Sequence, residues 1–181
     1  MKTYIALLRG INVSGQKKIR MVDLKAHLGE LGWEGIQTYI QSGNIVFTSP
    51  EDNPSYLAKM IRQKLLDKYG FEVPTLVLVP KELGHIINHN PFTQQPGTAL
   101  DRLYVTFLLS TPPEDLVRKL QDLKKNDEHF VQDDKIIFLY FPDGYGKAVM
   151  NNNAFEKALH VAATTRNWKT VNELYKMAHD R

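Results

Sequence analysis

An α+β fold made of two successive sheet-and-helix units is what this sequence predicts. Three observations carry that expectation. Short runs rich in Val, Ile, Tyr and Phe alternate with helical stripes in the order β-α-β-β-α-β. The segment Asn90-Pro91-Phe92-Thr93-Gln94-Gln95-Pro96-Gly97 is the densest run of breakers in the chain, and it divides a unit at 1–90 from a unit at 91–181. Beyond it the same element order restarts, although no repeat of residues links the halves.

Residues 3–8 (Thr-Tyr-Ile-Ala-Leu-Leu) read as the first strand, and Gly10 to Gln16 as a loop with two glycines and an asparagine. A helix follows over 20–31, where Leu24, Leu28 and Leu31 share one face and Gly32 supplies a left-handed stop. Strands at 36–40 and 44–48 are joined by Gln41-Ser42-Gly43, a link suited to a tight hairpin. Asn53 and Pro54 open the second helix as cap and first helical residue. Leu57, Ile61 and Leu65 form its stripe, and Gly70 ends it. A strand at 73–79 carries Pro74, which fits only a strand start or an edge. This is the ferredoxin-like plan, with both helices on one face of an antiparallel sheet and the other face free to be covered or to bind. A short helix at 80–88 (Leu83, Ile86, Ile87) leads to the boundary.

In the second half, 102–109 is a strong strand. Thr111 is positioned to cap a helix opened by Pro112, with Leu116, Leu120 and Leu123 on one face. Strands at 128–132 and 135–141 form a hairpin turning at Asp133-Asp134, and a helix near 153–162 holds Phe155 and Leu159. No fourth strand is legible. The unit is expected to be an imperfect copy that ends in a helix at 171–179, opened by the capping box Thr170-Val171-Asn172-Glu173.

Composition removes several function classes. The chain has 181 residues, 43% hydrophobic and 24% charged, which is ordinary for a globular protein with a core of its own. It has no cysteine, which excludes a disulfide framework, a thiolate metal site and a cysteine nucleophile. No stretch reaches the roughly 18 apolar residues of a membrane span. Arg9 ends the first apolar run and no small-residue cleavage site follows, so a cytoplasmic location is expected, without a membrane partner. The net charge is only +3, but it is unevenly placed. The first twenty residues hold five basic side chains and no acidic ones, whereas 113–134 holds seven acidic against four basic.

Four segments bear on function. Arg9-Gly10-Ile11-Asn12-Val13-Ser14-Gly15, followed by Lys17, Lys18 and Arg20, is a glycine-rich loop between a strand and a helix, a place where backbone N–H groups favour an anion. Its spacing matches neither G-x-x-x-x-G-K-[ST] nor G-x-G-x-x-G. Gln41-Ser42-Gly43-Asn44 is turn chemistry first, yet it offers neutral hydrogen-bonding groups that a shared sheet rim would bring beside Arg9. In Thr164-Thr165-Arg166-Asn167-Trp168-Lys169-Thr170, an indole between two cations before a helix can stack a ring and hold an anion; a core tryptophan and an ion-paired arginine are the plainer reading. His85 and His89 have a spacing that can hold a metal, but no H-E-x-x-H surrounds them and no third ligand is apparent, so no metal is expected. Asp133 and Asp134 are read as solvated turn residues, and no G-x-S-x-G elbow occurs.

Taken in order, Ala6-Leu7-Leu8-Arg9-Gly10-Ile11-Asn12-Val13, Thr38-Tyr39-Ile40-Gln41-Ser42-Gly43-Asn44, Asn90-Pro91-Phe92 and Thr165-Arg166-Asn167-Trp168-Lys169-Thr170-Val171 resemble the bacterial domain-of-unknown-function family 1697 along essentially the whole chain. One departure is visible: Ser14 stands where the family usually has glycine after the Asn-Val pair. The resemblance implies tandem α+β units of the ferredoxin-like kind. It brings no activity, cofactor or catalytic residue. The leading functional expectation is therefore a binding module for a small anionic or nucleotide-like ligand. Arg9, Asn12, Gln41, Ser42 and Asn44 form one side, and Arg166, Asn167 and Trp168 another. Nucleic-acid binding, with bases stacked on Tyr4, Tyr39 and Phe47, is a second class; an RNP1 pattern is absent from 44–48. An enzyme using one of the six histidines, with no reaction or cofactor indicated, is a third. A protein–protein module using a sheet face is a fourth.

Overall fold

The computed structural model describes residues 1–125 and 127–180. Among these residues lie two four-stranded antiparallel sheets and six α-helices, an α+β architecture as expected. Two compact units divide the chain. One gathers Met1–His85 with the chain from Asn172 on, and the other holds Ile86–Val171.

In the first unit, β1 (Lys2–Leu8), α1 (Met21–Gly29), β2 (Glu34–Tyr39), β3 (Asn44–Ser49), α2 (Pro54–Tyr69) and β4 (Thr75–Leu78) follow one another before α3 (Pro80–Asn88). The sheet order is β2-β3-β1-β4, with every neighbour antiparallel. Alternation along β1 sends Tyr4, Ala6 and Leu8 into the helix-side core. There they meet Leu24 and Leu28 of α1 and Leu57, Ile61 and Leu65 of α2, all fully buried. Trp33 stacks on Phe47 with ring centroids 4.3 Å apart. Ile5 and Leu7, on the opposite face of β1, are buried as well. The cap at α2 forms as read: Asn53 Oδ1 accepts from the Ser55 and Tyr56 N–H groups at 3.0 and 3.2 Å. Pro74 stands just before β4, an edge strand. The span 36–40 is corrected at its end, because Ile40 leaves the strand for the turn with φ 51°.

The second unit contains β5 (Leu103–Leu108), α4 (Glu114–Lys119), β6 (His129–Asp133), β7 (Ile136–Tyr140), α5 (Asn152–Leu159) and β8 (Ala163–Asn167), and α6 (Trp168–His179) begins in it. Its sheet order is β6-β7-β5-β8, again antiparallel throughout. The expectation of a missing fourth strand is overturned: β8 is that strand. Its Ala-Thr-Thr-Arg-Asn sequence hides it, since the residues are polar yet largely buried. The helix-facing side is satisfied by hydrogen bonds. The Thr106 and Thr165 hydroxyls lie 2.7 Å apart, Thr165 Oγ1 donates to Asn152 Oδ1 at 2.9 Å, and Asn152 Nδ2 donates to the Ala163 carbonyl at 3.0 Å. A buried polar group costs little once it is paired in this way.

Two caps also move. Asn167, not Thr170, caps α6: its Oδ1 accepts from the Thr170 N–H at 2.8 Å, so the helix starts three residues earlier than the capping box implies. Pro113 rather than Thr111 stands at the cap of α4, without a side-chain bond, and that helix runs only to Lys119 before a 3₁₀ turn at Leu120–Leu123. No described helix is long and apolar enough to cross a membrane.

Candidate functional site

The rim at the end of β1 is assembled from three segments of the first unit. The Leu8 N–H donates to the Gly43 carbonyl at 2.8 Å, and the Arg9 N–H donates to the Pro74 carbonyl at 2.9 Å. The chain then forms a miniature hairpin. Asn12 N–H donates to Lys17 O at 3.2 Å, Gln16 N–H donates to Val13 O at 2.9 Å, and Ser14 and Gly15 both take positive φ, 50° and 75°. That is the type I′ pattern of a two-residue hairpin tip. Lys17 ties the hairpin down by donating to the Glu72 carbonyl at 2.6 Å, with its ammonium 5.7 Å from the Phe71 ring centroid.

Asn12 is the stitch between the hairpin and the β2–β3 turn. Its Nδ2 donates to the Ile19 carbonyl at 2.9 Å and the Gln41 carbonyl at 2.8 Å, while its Oδ1 accepts from the Ile19 N–H at 2.9 Å. Both amide hydrogens are thus engaged, and Asn12 positions the rim. Asn44, wholly buried, donates to the Tyr39 carbonyl at 3.1 Å and to Ser42 Oγ at 2.9 Å. Gly43 is required twice over. Its φ is 75°, and a Cβ there would stand 2.6 Å from Leu8 Cβ. Gln41 is exposed and Arg9 half-buried.

The basic run is partly neutralised by one distant and one neighbouring carboxylate. Lys2 pairs with Asp52 at 2.8 Å. Arg20 grips Asp23 through two bonds of 2.7 and 2.9 Å, and this holds the Asp23 carboxyl below its ordinary pKa. Lys18 stays exposed at the foot of the hairpin. Among the described residues, the backbone N–H groups of Gly10, Ser14, Gly15 and Lys18 meet no acceptor, and α1 begins without a side-chain cap. The rim therefore offers backbone donors, with the exposed Glu72 beside them on the 71–74 segment.

Residues 1–138 match the family described as protein of unknown function DUF1697. The chain belongs to that family. A solved structure, that of the conserved bacterial protein SP0830 from Streptococcus pneumoniae, is similar in fold. The TM-score is 0.68 at 24% identity, over 97% of this chain and 98% of that one. No curated protein matches.

In this DUF1697 chain the remaining sequence candidates lie in the second unit. Arg166 sits on β8 opposite Val105, only 7% exposed, donating through Nη1 to Thr164 Oγ1 at 2.6 Å and to the Thr165 carbonyl at 3.0 Å. Burial lowers its guanidinium pKa to about 10. Asn167 caps α6, and Trp168 is buried. The structure thus gathers Arg9, Asn12, Gln41, Ser42 and Asn44 on one rim, and places Arg166, Asn167 and Trp168 at the β8–α6 junction of the other unit.

Base stacking on the first sheet loses two of its three rings. Tyr4 and Phe47 lie in the helix-side core, 1% and 0% exposed, with centroids 5.7 Å apart. His85 is exposed on α3 and His89 lies just past its end; no group of three potential metal ligands occurs among the described residues. A shallow cleft in the second unit, beside Phe141, Pro142 and Gly144, is lined by Glu128. The Glu128 carboxylate already accepts from the Val149 and Met150 N–H groups.

Sequence reading missed Ile40 and the 71–74 segment as parts of the rim. A β-branched residue argues for a strand, and only the Gly43 turn three residues on hints otherwise. The Glu72 and Pro74 contributions are carbonyls, which leave no mark in side-chain patterns.

Proposed function

We propose that the first unit binds a small anionic ligand at the rim formed by the 9–19 loop, the 40–44 turn and the 71–75 segment. The observation that supports this most is the donor-rich hairpin at 12–17. It is fixed by Asn12 and Lys17 while its tip and flanking N–H groups remain open to solvent. Preorganised N–H groups bind an anion without first having to be ordered. Arg9 supplies the charge beside them, Gln41 and Ser42 neutral contacts, and Asn12 and Asn44 hold the frame. We further propose that each unit is a ferredoxin-like fold, for which the orders β2-β3-β1-β4 and β6-β7-β5-β8 are the support. A cytoplasmic setting fits a ligand of this kind.

A thermal-shift panel of nucleotides and sugar phosphates tests the reading. A ligand at a hundred times its Kd stabilises by about 2.7 kcal/mol, which raises Tm measurably. Arg9→Ala is expected to abolish or greatly reduce the shift for every hit. Retention of all shifts in that variant removes the rim as the site.

A further inference from the structure

Among the described residues six other than glycine have positive φ, and Ile40 is the β-branched one among them. Glycine enters that region freely and asparagine, aspartate and histidine more readily than most residues, whereas a β-branched side chain there is an outlier. Burial does not compensate, because Ile40 is 51% exposed. Its sequence neighbour Gln41 accepts the 2.8 Å bond from Asn12, whose own neighbour Val13 is 58% exposed. Two exposed aliphatic residues thus adjoin, in sequence, the two partners of the bond that joins turn to hairpin. A strained residue kept where glycine or asparagine would fit points to a use outside folding.

We propose that Ile40 is a ligand-contact residue, and that the ligand of the rim carries an apolar ring as well as an anionic group, in the class of nucleoside monophosphates. The inference rests on the rim reading above and adds the second half of the ligand. The donors of the 10–18 loop meet the phosphate, and Ile40 with Val13 meets the face of the ring. Ile40 is then kept for binding at the expense of fold stability, a common trade at binding sites.

Titration calorimetry with AMP, GMP, CMP and UMP, set against inorganic phosphate, tests this in the wild type and in Ile40→Gly and Ile40→Asn. Both substitutions remove the aliphatic contact and relieve the backbone. The expected result is a higher Tm for each free variant, about tenfold weaker binding of the best nucleotide, and unchanged binding of phosphate. Three results overturn the proposal while leaving the rim reading in place: nucleotide affinity equal to wild type in Ile40→Gly, phosphate binding the wild type as tightly as any nucleotide, or a fall in Tm in both variants, which assigns Ile40 to packing. If neither phosphate nor any nucleotide binds the wild type, the rim reading fails and this inference falls with it.

Discussion

Asn12 shows how one side chain replaces a longer connection. Three hydrogen bonds from a single amide hold segments 29 positions apart, and its left-handed backbone (φ 54°) suits asparagine better than most residues. The sequence marks Asn12 as unusual but does not distinguish a ligand contact from a stitch, since both want an amide in a glycine-rich loop. Charge partners are equally opaque at this scale: Lys2 looks uncompensated because Asp52 is fifty residues away. Glu30 is a further case, gathering Lys68, Lys64 and His27 at 3.1, 3.2 and 3.3 Å. Those bonds lower its pKa from an ordinary 4.5 to about 2. A carboxylate depressed in the folded state adds stability above its unfolded pKa and loses it as pH falls toward the folded one. The Tm difference between wild type and Glu30→Gln is therefore expected to persist from pH 7 to about 4.5 and to vanish near pH 2. A difference that stays unchanged between pH 4.5 and pH 2 would show that the Glu30 charge contributes nothing to stability. Because the site is exposed, the gap should be small and should shrink with salt.

Among the elements, the helices with strong local punctuation were legible. Asn53-Pro54 and Gly70 bracket α2 as their chemistry demands. Legibility fails where tertiary partners decide. Strand β8 has no apolar alternation because its buried positions are hydrogen-bonded threonines and an arginine, and that network comes from Thr106 and Asn152, distant in sequence. Residues 111–123 are broken for a similar reason, as the leucine stripe predicts more regular helix than the uncapped six-residue α4 sustains. The β2–β3 turn is the element on which the rim depends, and Gly43 is its most constrained position. Gly43→Ala is expected to destabilise the protein by about 2–4 kcal/mol. Left-handed strain accounts for about 1–2 kcal/mol and overpacking against Leu8 for a similar amount. Chemical denaturation checks this, and a loss below about 0.5 kcal/mol would mean that the turn relaxes freely.

At the scale of the whole molecule, the repeated element order was readable up to the fourth strand of the second unit, which β8 supplies without an apolar pattern. What the order could not reveal is that α6 begins in one unit and continues in the other. Leu174 and Ala178 are buried in α6, and Tyr175 packs so closely on Gly84 of α3 that a Cβ there would stand 2.7 Å from its ring. Leu174→Ala should cost about 2–5 kcal/mol. Its loss of hydrogen-exchange protection should appear chiefly in residues 1–85, remote in sequence, rather than in 86–171 beside it. Protection lost mainly in 86–171 would contradict the assignment of this helix to the first unit.

That discontinuity bears on how the protein is made. A ribosome releases the chain from the amino terminus, so residues 1–85 emerge while the helix that completes their unit is still unsynthesised. The first unit must wait, with part of its apolar surface uncovered, until all of Ile86–Val171 has followed. The second unit, contiguous in sequence, has every one of its residues in hand before the first unit does. The order of completion during synthesis is thus the reverse of the order in which the units are encoded.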